Sequence, residues 1–246
     1  MTLFDYALLI LAGYFAGVLN TIAGGGSFLT FPALVYAGVP PIAANATSAV
    51  AVLPGYLSGA LGFRREIRLL STADLVRYCL IGLAGGIAGA LLLLVTPADV
   101  FDFVVPLLLL GATLLFAFGN RLMSWLRRSG EPLPMAPGLL AVAIYGGYFN
   151  GGLGIMLLAQ FAAAGMQQLN MMNGLKNLLS FVLSSISVAT FAVAGIVEWP
   201  EALIMMVAAT IGGYSGAGIA RALPARVVRA IVIAVGLIMT LVFLLR

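Results

Sequence analysis

Apolar segments follow one another along almost the whole chain, and charged side chains are confined to the short stretches between them. The segments run over 5–23, 27–38, 42–62, 73–95, 99–120, 137–153, 155–165, 170–195, 199–219 and 223–245. Only 8% of the 246 residues are charged, against about 25% in an ordinary soluble domain. No stretch is polar enough to coat a water-soluble globule, so we expect a lipid bilayer to be the solvent of this chain.

The length of the chain sets the number of membrane crossings. A hydrocarbon core about 30 Å thick needs about 20 apolar residues per helix, which leaves room for roughly eight crossings joined by short loops. We therefore predict an all-α polytopic membrane protein with a single transmembrane domain over 1–246. The first segment lacks a basic flank and is followed by more apolar helix, which predicts a membrane segment and not a cleaved signal peptide.

Two of the segments are too short to cross a bilayer. The segments 27–38 and 155–165 have 12 and 11 residues, which is typical of a half-helix or a re-entrant element. A glycine cluster precedes each of them: Gly24, Gly25 and Gly26 in the first half, and Gly151, Gly152 and Gly154 in the second. The sequence leaves open whether these elements are re-entrant or continue a broken crossing.

Displacing the chain against itself by 127 residues aligns landmarks of its two halves. The displacement pairs Gly24 with Gly151, Gly25 with Gly152, Gly38 with Gly165, Gly85 with Gly212, Gly86 with Gly213, Gly89 with Gly216, and Pro97 with Pro224. Matches at the helix breaks and within one small-xxx-small helix indicate two copies of one unit. We predict repeat 1 over about 5–120, a linker over about 121–136 and repeat 2 over about 137–246.

The arginines predict how the two copies are oriented. Ten of the eleven form three clusters, over 64–77, 121–128 and 221–229. The positive-inside rule places all three in the cytoplasm only if 137–195 crosses the membrane a net odd number of times, which makes the repeats inverted. The N-terminus is then periplasmic, and the basic charge of the chain needs no nucleic-acid partner to explain it. In many secondary transporters with inverted repeats, the substrate binds near the midplane where broken helices meet.

Polar residues gather at the two glycine breaks and on the helices that follow them. The candidate substrate-binding residues of the first half are Asn20, Thr21, Gly24, Gly25, Gly26, Ser27, Asn45, Thr47 and Ser48, and those of the second half are Asn150, Gly151, Gly152, Asn173, Lys176 and Asn177. The last three form one helical stripe with Ser180 and Ser184, and within lipid such a stripe must face protein or water. Backbone N–H groups exposed at the breaks, and the positive dipole ends of the half-helices, favour an anion.

Lys176 strengthens the argument for an anion. It is the only lysine, it lies about two turns into an apolar helix, and every Asp and Glu sits in a loop or at a predicted helix end. A charge at such a depth costs at least about 2.5 kcal/mol, so a substrate that supplies the missing negative charge suits it. The alternative is that Lys176 snorkels to the surface.

The other polar and glycine residues also have structural alternatives. Asn20 and Asn150 are equally compatible with hydrogen bonds between helices, and Gly24–Gly26 with a plain turn. For the glycine pairs spaced by four residues, Gly85 with Gly89 and Gly212 with Gly216, we predict helix packing and not ligand contact.

The residue types present argue against several other classes of protein. The chain has no histidine and one cysteine, Cys79, so it has no intramolecular disulfide and too few thiols for a cysteine-based metal site. A metal or cation carrier would need His, Cys or membrane carboxylates. A hydrolase that pairs Ser27 with Lys176 has no supporting motif. A purely structural subunit would not need polar broken helices. We predict neither enzymatic activity nor a cofactor.

Two runs of the sequence resemble the signature regions of a known family. They are GYFAGVLNTIAGGGSFLTFPALVYAGVPPIAANATSAVAVLPGYLSGALGFRREI and YGGYFNGGLGIMLLAQFAAAGMQQLNMMNGLKN. They are similar to those of the sulfite exporter TauE/SafE family, also called the 4-toluene sulfonate uptake permease family. The resemblance implies a bacterial cytoplasmic-membrane protein of about eight helices that moves sulfite, sulfonates or related anions. Members often carry Gly-Ala-Gly where this chain has Asn150-Gly151-Gly152, so Asn150 is a candidate for tuning substrate choice.

Together these features predict an exporter of small sulfur-containing oxyanions. An anion needs no coupling to leave the cell, because an interior-negative potential of 100 mV favours its exit by about 2.3 kcal/mol per charge. We therefore predict potential-driven or ion-coupled alternating access, with sodium binding at the breaks left open. Uptake of a sulfonate or another organic anion is the alternative. The sequence also allows a homodimer.

Overall fold

A computed structural model describes residues 2–22, 25–126, 132–222 and 225–245, and over these ranges the protein is helical with no β-strand. In chain order the helices are α1 (Leu3–Ile22), α2 (Ser27–Tyr36), α3 (Pro41–Gly62), α4 (Arg64–Ile67), α5 (Thr72–Val95), α6 (Ala98–Leu126), α7 (Met135–Tyr148), α8 (Leu153–Ala163), α9 (Leu169–Val193), α10 (Trp199–Ala222) and α11 (Ala225–Leu244). The predicted all-α class is confirmed. Gly24, Arg127, Arg128 and Pro224, and the side chain of Thr21, lie outside the described part.

Long apolar helices confirm a polytopic membrane protein. Within the described ranges, four helices are long and apolar enough to cross a bilayer, over Leu3–Asn20, Thr72–Val95, Ala98–Gly119 and Leu169–Val193. The total of about eight crossings stays a prediction. The short helix α4 was not predicted, because its four residues lie within an arginine-rich loop.

The two ends of the helix bundle differ in charge. At the end that we call the acidic end, Pro40, Ala98, Asp102 and Glu198 line one cavity of about 240 Å³. At the opposite end, which we call the arginine end, the start of α9 packs on α4, since a Cβ added at Gly174 would lie 2.9 Å from side-chain atoms of Phe63 and Ile67. Helix α3 runs from the acidic end to the arginine end.

The chain turns back on itself at each glycine break. The rings of Phe4 at the start of α1 and Tyr36 at the end of α2 lie 6.5 Å apart. In the second half, the end of α8 returns to the start of α7, since Leu133 N donates to Ala163 O at 2.9 Å. The short helices α2 and α8 are therefore the returning arms of two hairpins, one opening at the acidic end and the other at the arginine end.

Each returning arm is anchored in its own apolar cluster. Phe31 and Leu34 of α2 are buried in a cluster shared with α1, α3, α5, α6, α9, α10 and α11. Leu157 and Phe161 of α8 are buried in a second cluster, formed with α7 and α9. Burial of these side chains supplies the apolar packing that holds each short helix within the protein.

The contacts between helices pair up in a way that an internal duplication would produce. Helix α1 packs on α10 as α7 packs on α5, α6 on α8 as α11 on α2, and α5 on α9 as α10 on α3. Each contact becomes its counterpart when the helices of the first half are exchanged with those of the second half. The corresponding helices are α1 and α7, α2 and α8, α3 and α9, α5 and α10, and α6 and α11. This pairing, together with the opposite openings of the hairpins, supports our proposal of two inverted repeats.

Glycines allow the closest of these helix contacts. A Cβ at Gly212 of α10 would overlap the Tyr14 carbonyl oxygen of α1, and a Cβ at Gly89 of α5 would overlap the Ile144 carbonyl oxygen of α7. A Cβ at Gly85 of α5 would lie 2.5 Å from the Ala143 Cβ of α7. These contacts confirm the predicted packing role of Gly85, Gly89 and Gly212. The surroundings of Gly216 lie outside the described part of the protein.

Candidate functional site

The first glycine break is fastened by the amide of Asn20. The side-chain oxygen Asn20 Oδ1 accepts a hydrogen bond of 2.8 Å from the Gly26 N–H. This bond ties the last turn of α1 to the start of α2. The amide nitrogen faces α3, where it lies 3.4 Å from the position that a Cβ of Gly55 would occupy.

Ser27 is the first residue of α2, and its hydroxyl is buried. Its Oγ has no hydrogen-bond partner among the described residues. It lies near the Tyr56 hydroxyl without meeting the geometry of a hydrogen bond. Ser27 Oγ is therefore a buried donor that the described protein leaves unsatisfied.

The second break is held from several sides. Helix α7 ends at Tyr148, and Gly152 takes the left-handed conformation, with φ +76°, that starts α8. Tyr145 donates from its hydroxyl to Gly151 O at 2.6 Å. Asn150 is buried, accepts at Oδ1 from the Tyr56 hydroxyl at 3.0 Å, and donates from Nδ2 to Ser184 Oγ at 3.3 Å. Asn150 thus connects the break to both central helices, α3 and α9.

The polar residues at the start of α3 are engaged with other parts of the protein. Asn45 donates to the Tyr148 carbonyl oxygen at 2.8 Å, at the open end of α7. Thr47 Oγ1 accepts from the Glu198 N–H at 3.0 Å, and Ser48 Oγ lies 2.6 Å from Thr30 Oγ1. Their role as substrate ligands stays a prediction, and in this conformation their polar groups join helices.

The stripe on α9 carries the buried lysine. Lys176 is 5% exposed, so it does not snorkel to the surface. Its Nζ donates to Asn173 Oδ1 at 3.4 Å, and the structure gives it no ion pair with a carboxylate in the described ranges. A Cβ at Gly59 of α3 would lie 2.6 Å from Asn177 Nδ2, so Asn177 packs directly on α3.

The structure brings the candidate residues together in two neighbourhoods. Asn20 and Asn177 approach the same face of α3, at Gly55 and Gly59. Lys176 precedes Asn177 in α9 and donates to Asn173. Asn150 lies with Tyr56 and Ser184 between α3 and α9. Asn45, Thr47 and Ser48 lie in the part of α3 nearer the acidic end, where Asn45 reaches the end of α7.

Sequence reasoning missed Tyr56. It lies eight residues after Ser48, so it continues the helical face on which Ser48 lies. A tyrosine in an apolar helix is compatible with plain packing, and only its hydrogen bond to Asn150 distinguishes it here. Lys176 and Ser184 have the same eight-residue spacing. The sequence predicts that they share a polar stripe because Asn177 and Ser180, which lie between them, are also polar.

Broken hairpins that enter from opposite ends, with buried polar side chains between two central helices, are typical of membrane transport proteins. The model of the family Sulfite exporter TauE/SafE matches residues 9–243. The chain therefore belongs to the TauE/SafE family, and the resemblance seen in its signature regions is confirmed.

Curated relatives cover nearly the whole chain. A "Probable membrane transporter protein" from Haemophilus influenzae is 29% identical, in an alignment that covers 95% of this chain and 92% of that protein. "Probable membrane transporter protein ORF9" from a Sinorhizobium species is 28% identical over 94% of this chain and 89% of its own length. "Probable membrane transporter protein YfcA" from Escherichia coli K12 is 27% identical over 95% and 87%. No solved structure matches the chain.

Proposed function

We propose that this protein exports small oxyanions of sulfur, sulfite or short organosulfonates, across the bacterial cytoplasmic membrane. The observation that carries the proposal is the burial of Lys176 without a carboxylate partner in the described part of the chain. A buried unpaired ammonium is unfavourable in an apolar environment. An anionic substrate would neutralise it, and the family to which the chain belongs is described by sulfite export.

The position of Lys176 supports capture from the cytoplasm. Gly174, two residues earlier, packs on Phe63 and Ile67 beside the cluster of Arg64 and Arg65. The positive-inside rule predicts that this arginine end faces the cytoplasm and that the N-terminus is periplasmic. Positive surface charge raises the local concentration of anions. An anion arriving from the cytoplasm would therefore meet the arginines first and Lys176 next.

We propose that the driving force is the membrane potential, with access alternating as one repeat moves against the other. An interior-negative potential favours anion exit by about 2.3 kcal/mol per charge per 100 mV.

Efflux of radiolabelled sulfite from proteoliposomes tests the proposal. We expect the purified protein to release sulfite, sulfoacetate or thiosulfate faster than protein-free vesicles do, and interior-negative potential to accelerate the release. Chloride serves as the control anion. Release that does not respond to potential would overturn potential-driven export, accumulation against the potential would favour uptake, and no movement of any sulfur oxyanion would overturn the proposal.

A further inference from the structure

A tyrosine hydroxyl stands between the two glycine breaks at the centre of the protein. Tyr56 is 3% exposed, and its hydroxyl donates to Asn150 Oδ1 of the second break at 3.0 Å. The Ser27 hydroxyl, at the start of the arm that follows the first break, lies near the same phenolic oxygen. Tyr56 therefore contacts one break and adjoins the other.

Two buried hydroxyls in this region have no hydrogen-bond partner among the described residues. They are Ser27 Oγ and Ser180 Oγ. Ser180 is fully buried on α9, one turn from Ser184, which accepts from Asn150. A buried polar group without a partner is uncommon and costs about 1–3 kcal/mol. Two such groups close to one hydrogen-bonded network indicate that a ligand completes it.

The chemistry of these groups identifies the kind of ligand. Tyr56, Ser27 and Ser180 each offer an O–H donor, and none of them carries charge at neutral pH. The acceptor that now satisfies Tyr56 is the neutral oxygen of Asn150. An oxyanion suits this set of neutral donors, because its several oxygens can each accept a hydrogen bond.

The donors also continue the path that begins at Lys176. Ser180 lies four residues after Lys176, which is about 6 Å along the axis of α9. The two side chains share one helical face, because residues four apart lie above one another. An anion leaving Lys176 toward the acidic end would reach Ser180 next and the Tyr56 hydroxyl after it.

We propose that Tyr56, Ser27 and Ser180 form a neutral oxyanion subsite beyond Lys176, in which an oxygen of the substrate replaces Asn150 Oδ1 as the acceptor of the Tyr56 hydroxyl. The inference rests on the proposed function and adds a second binding position to it.

Tyr56→Phe tests the subsite, because it removes the donor and retains the ring. We measure initial sulfite efflux from proteoliposomes loaded with a series of sulfite concentrations. A hydrogen bond to a charged group contributes about 1.5–3 kcal/mol, so we expect KM for sulfite to rise about tenfold or more, with kcat per folded protein within about twofold of wild type. Tyr214→Phe is the matched control, since it removes the same hydroxyl from a residue of α10 that is 93% exposed and belongs to neither break. We expect it to leave the KM for sulfite within about twofold.

Ser27→Ala provides a second readout that does not depend on the folding of the tyrosine variant. It removes an unsatisfied buried hydroxyl, so we expect the thermal midpoint to stay level or rise while KM for sulfite increases. An unchanged KM in Ser27→Ala and in any folded Tyr56→Phe protein would overturn the inference. Equal rises in KM for Tyr56→Phe and Tyr214→Phe would also overturn it. A wild type that moves no sulfur oxyanion would overturn the proposed function, whereas an active wild type with unaffected variants would overturn the subsite alone.

Discussion

Replacing Lys176 by methionine is expected to reduce sulfite efflux by about 100-fold or more while leaving the protein at least as stable. Removing one partner of a buried charge pair costs about 2–5 kcal/mol, and about 2.8 kcal/mol corresponds to 100-fold. In the substrate-free protein, the substitution instead removes an unpaired buried charge, which is unfavourable in an apolar environment. The opposite directions of the two effects separate a substrate ligand from a structural residue.

The matched control is Arg68→Met, which removes one positive charge from an exposed residue at the arginine end. We expect this variant to keep sulfite efflux within about twofold of wild type. Efflux is measured in proteoliposomes, and the thermal midpoint in detergent. Normal efflux by Lys176→Met would contradict a role for the lysine in substrate binding. A fall in its thermal midpoint would show that the lysine stabilises the substrate-free fold.

Replacing Gly89 by leucine is expected to prevent the formation of a folded protein. Helices α5 and α7 approach so closely that a Cβ at Gly89 would overlap the Ile144 carbonyl oxygen and lie 2.7 Å from Tyr148 N. Backbone atoms cannot swing aside as a flexible side chain can, so the helices would have to separate. Their separation would displace the end of α7 and with it the second break. Overpacking of a side chain typically costs 1–3 kcal/mol and occasionally more, and here we expect more.

Gly111→Leu is the control for this substitution. Gly111 lies within α6, and nothing stands within 4 Å of a Cβ added there. Leucine also has a higher helix propensity than glycine, by about 0.5–1 kcal/mol. Size-exclusion chromatography in detergent should therefore show a monodisperse peak for Gly111→Leu and none for Gly89→Leu. A monodisperse, active Gly89→Leu protein would contradict the close packing of α5 on α7.

The sequence permitted a good prediction of the elements because lipid imposes a simple rule. The segment 42–62 corresponds to α3 (Pro41–Gly62), and 155–165 to α8 (Leu153–Ala163). Apolar length and glycine breaks are local properties, and a chain in a bilayer must satisfy its backbone hydrogen bonds within each helix. The burial of Lys176 followed from the same reasoning, since an isolated cation in an apolar helix needs a polar or aqueous neighbour.

The sequence did not reveal how the breaks are arranged, because the contacts there join residues far apart in the chain. A displacement of 127 relates Gly86 to Gly213, yet the glycines that pack against them, Gly147 and Gly17, are 130 residues apart. A single displacement without gaps cannot follow both spacings. Asn20 and Asn150 are also 130 residues apart, and their hydrogen bonds differ, to Gly26 in one and to Tyr56 and Ser184 in the other.

Binding of sulfite to the protein in detergent, with and without Lys176, tests the central claim most directly because it requires neither a potential nor a direction of transport. The thermal midpoint is measured as sulfite is added to wild type, Lys176→Met and Arg68→Met. A ligand that binds only the folded state raises stability as its concentration exceeds Kd. Our account predicts a saturable rise for wild type and Arg68→Met and none for Lys176→Met. An equal rise in all three proteins would contradict it.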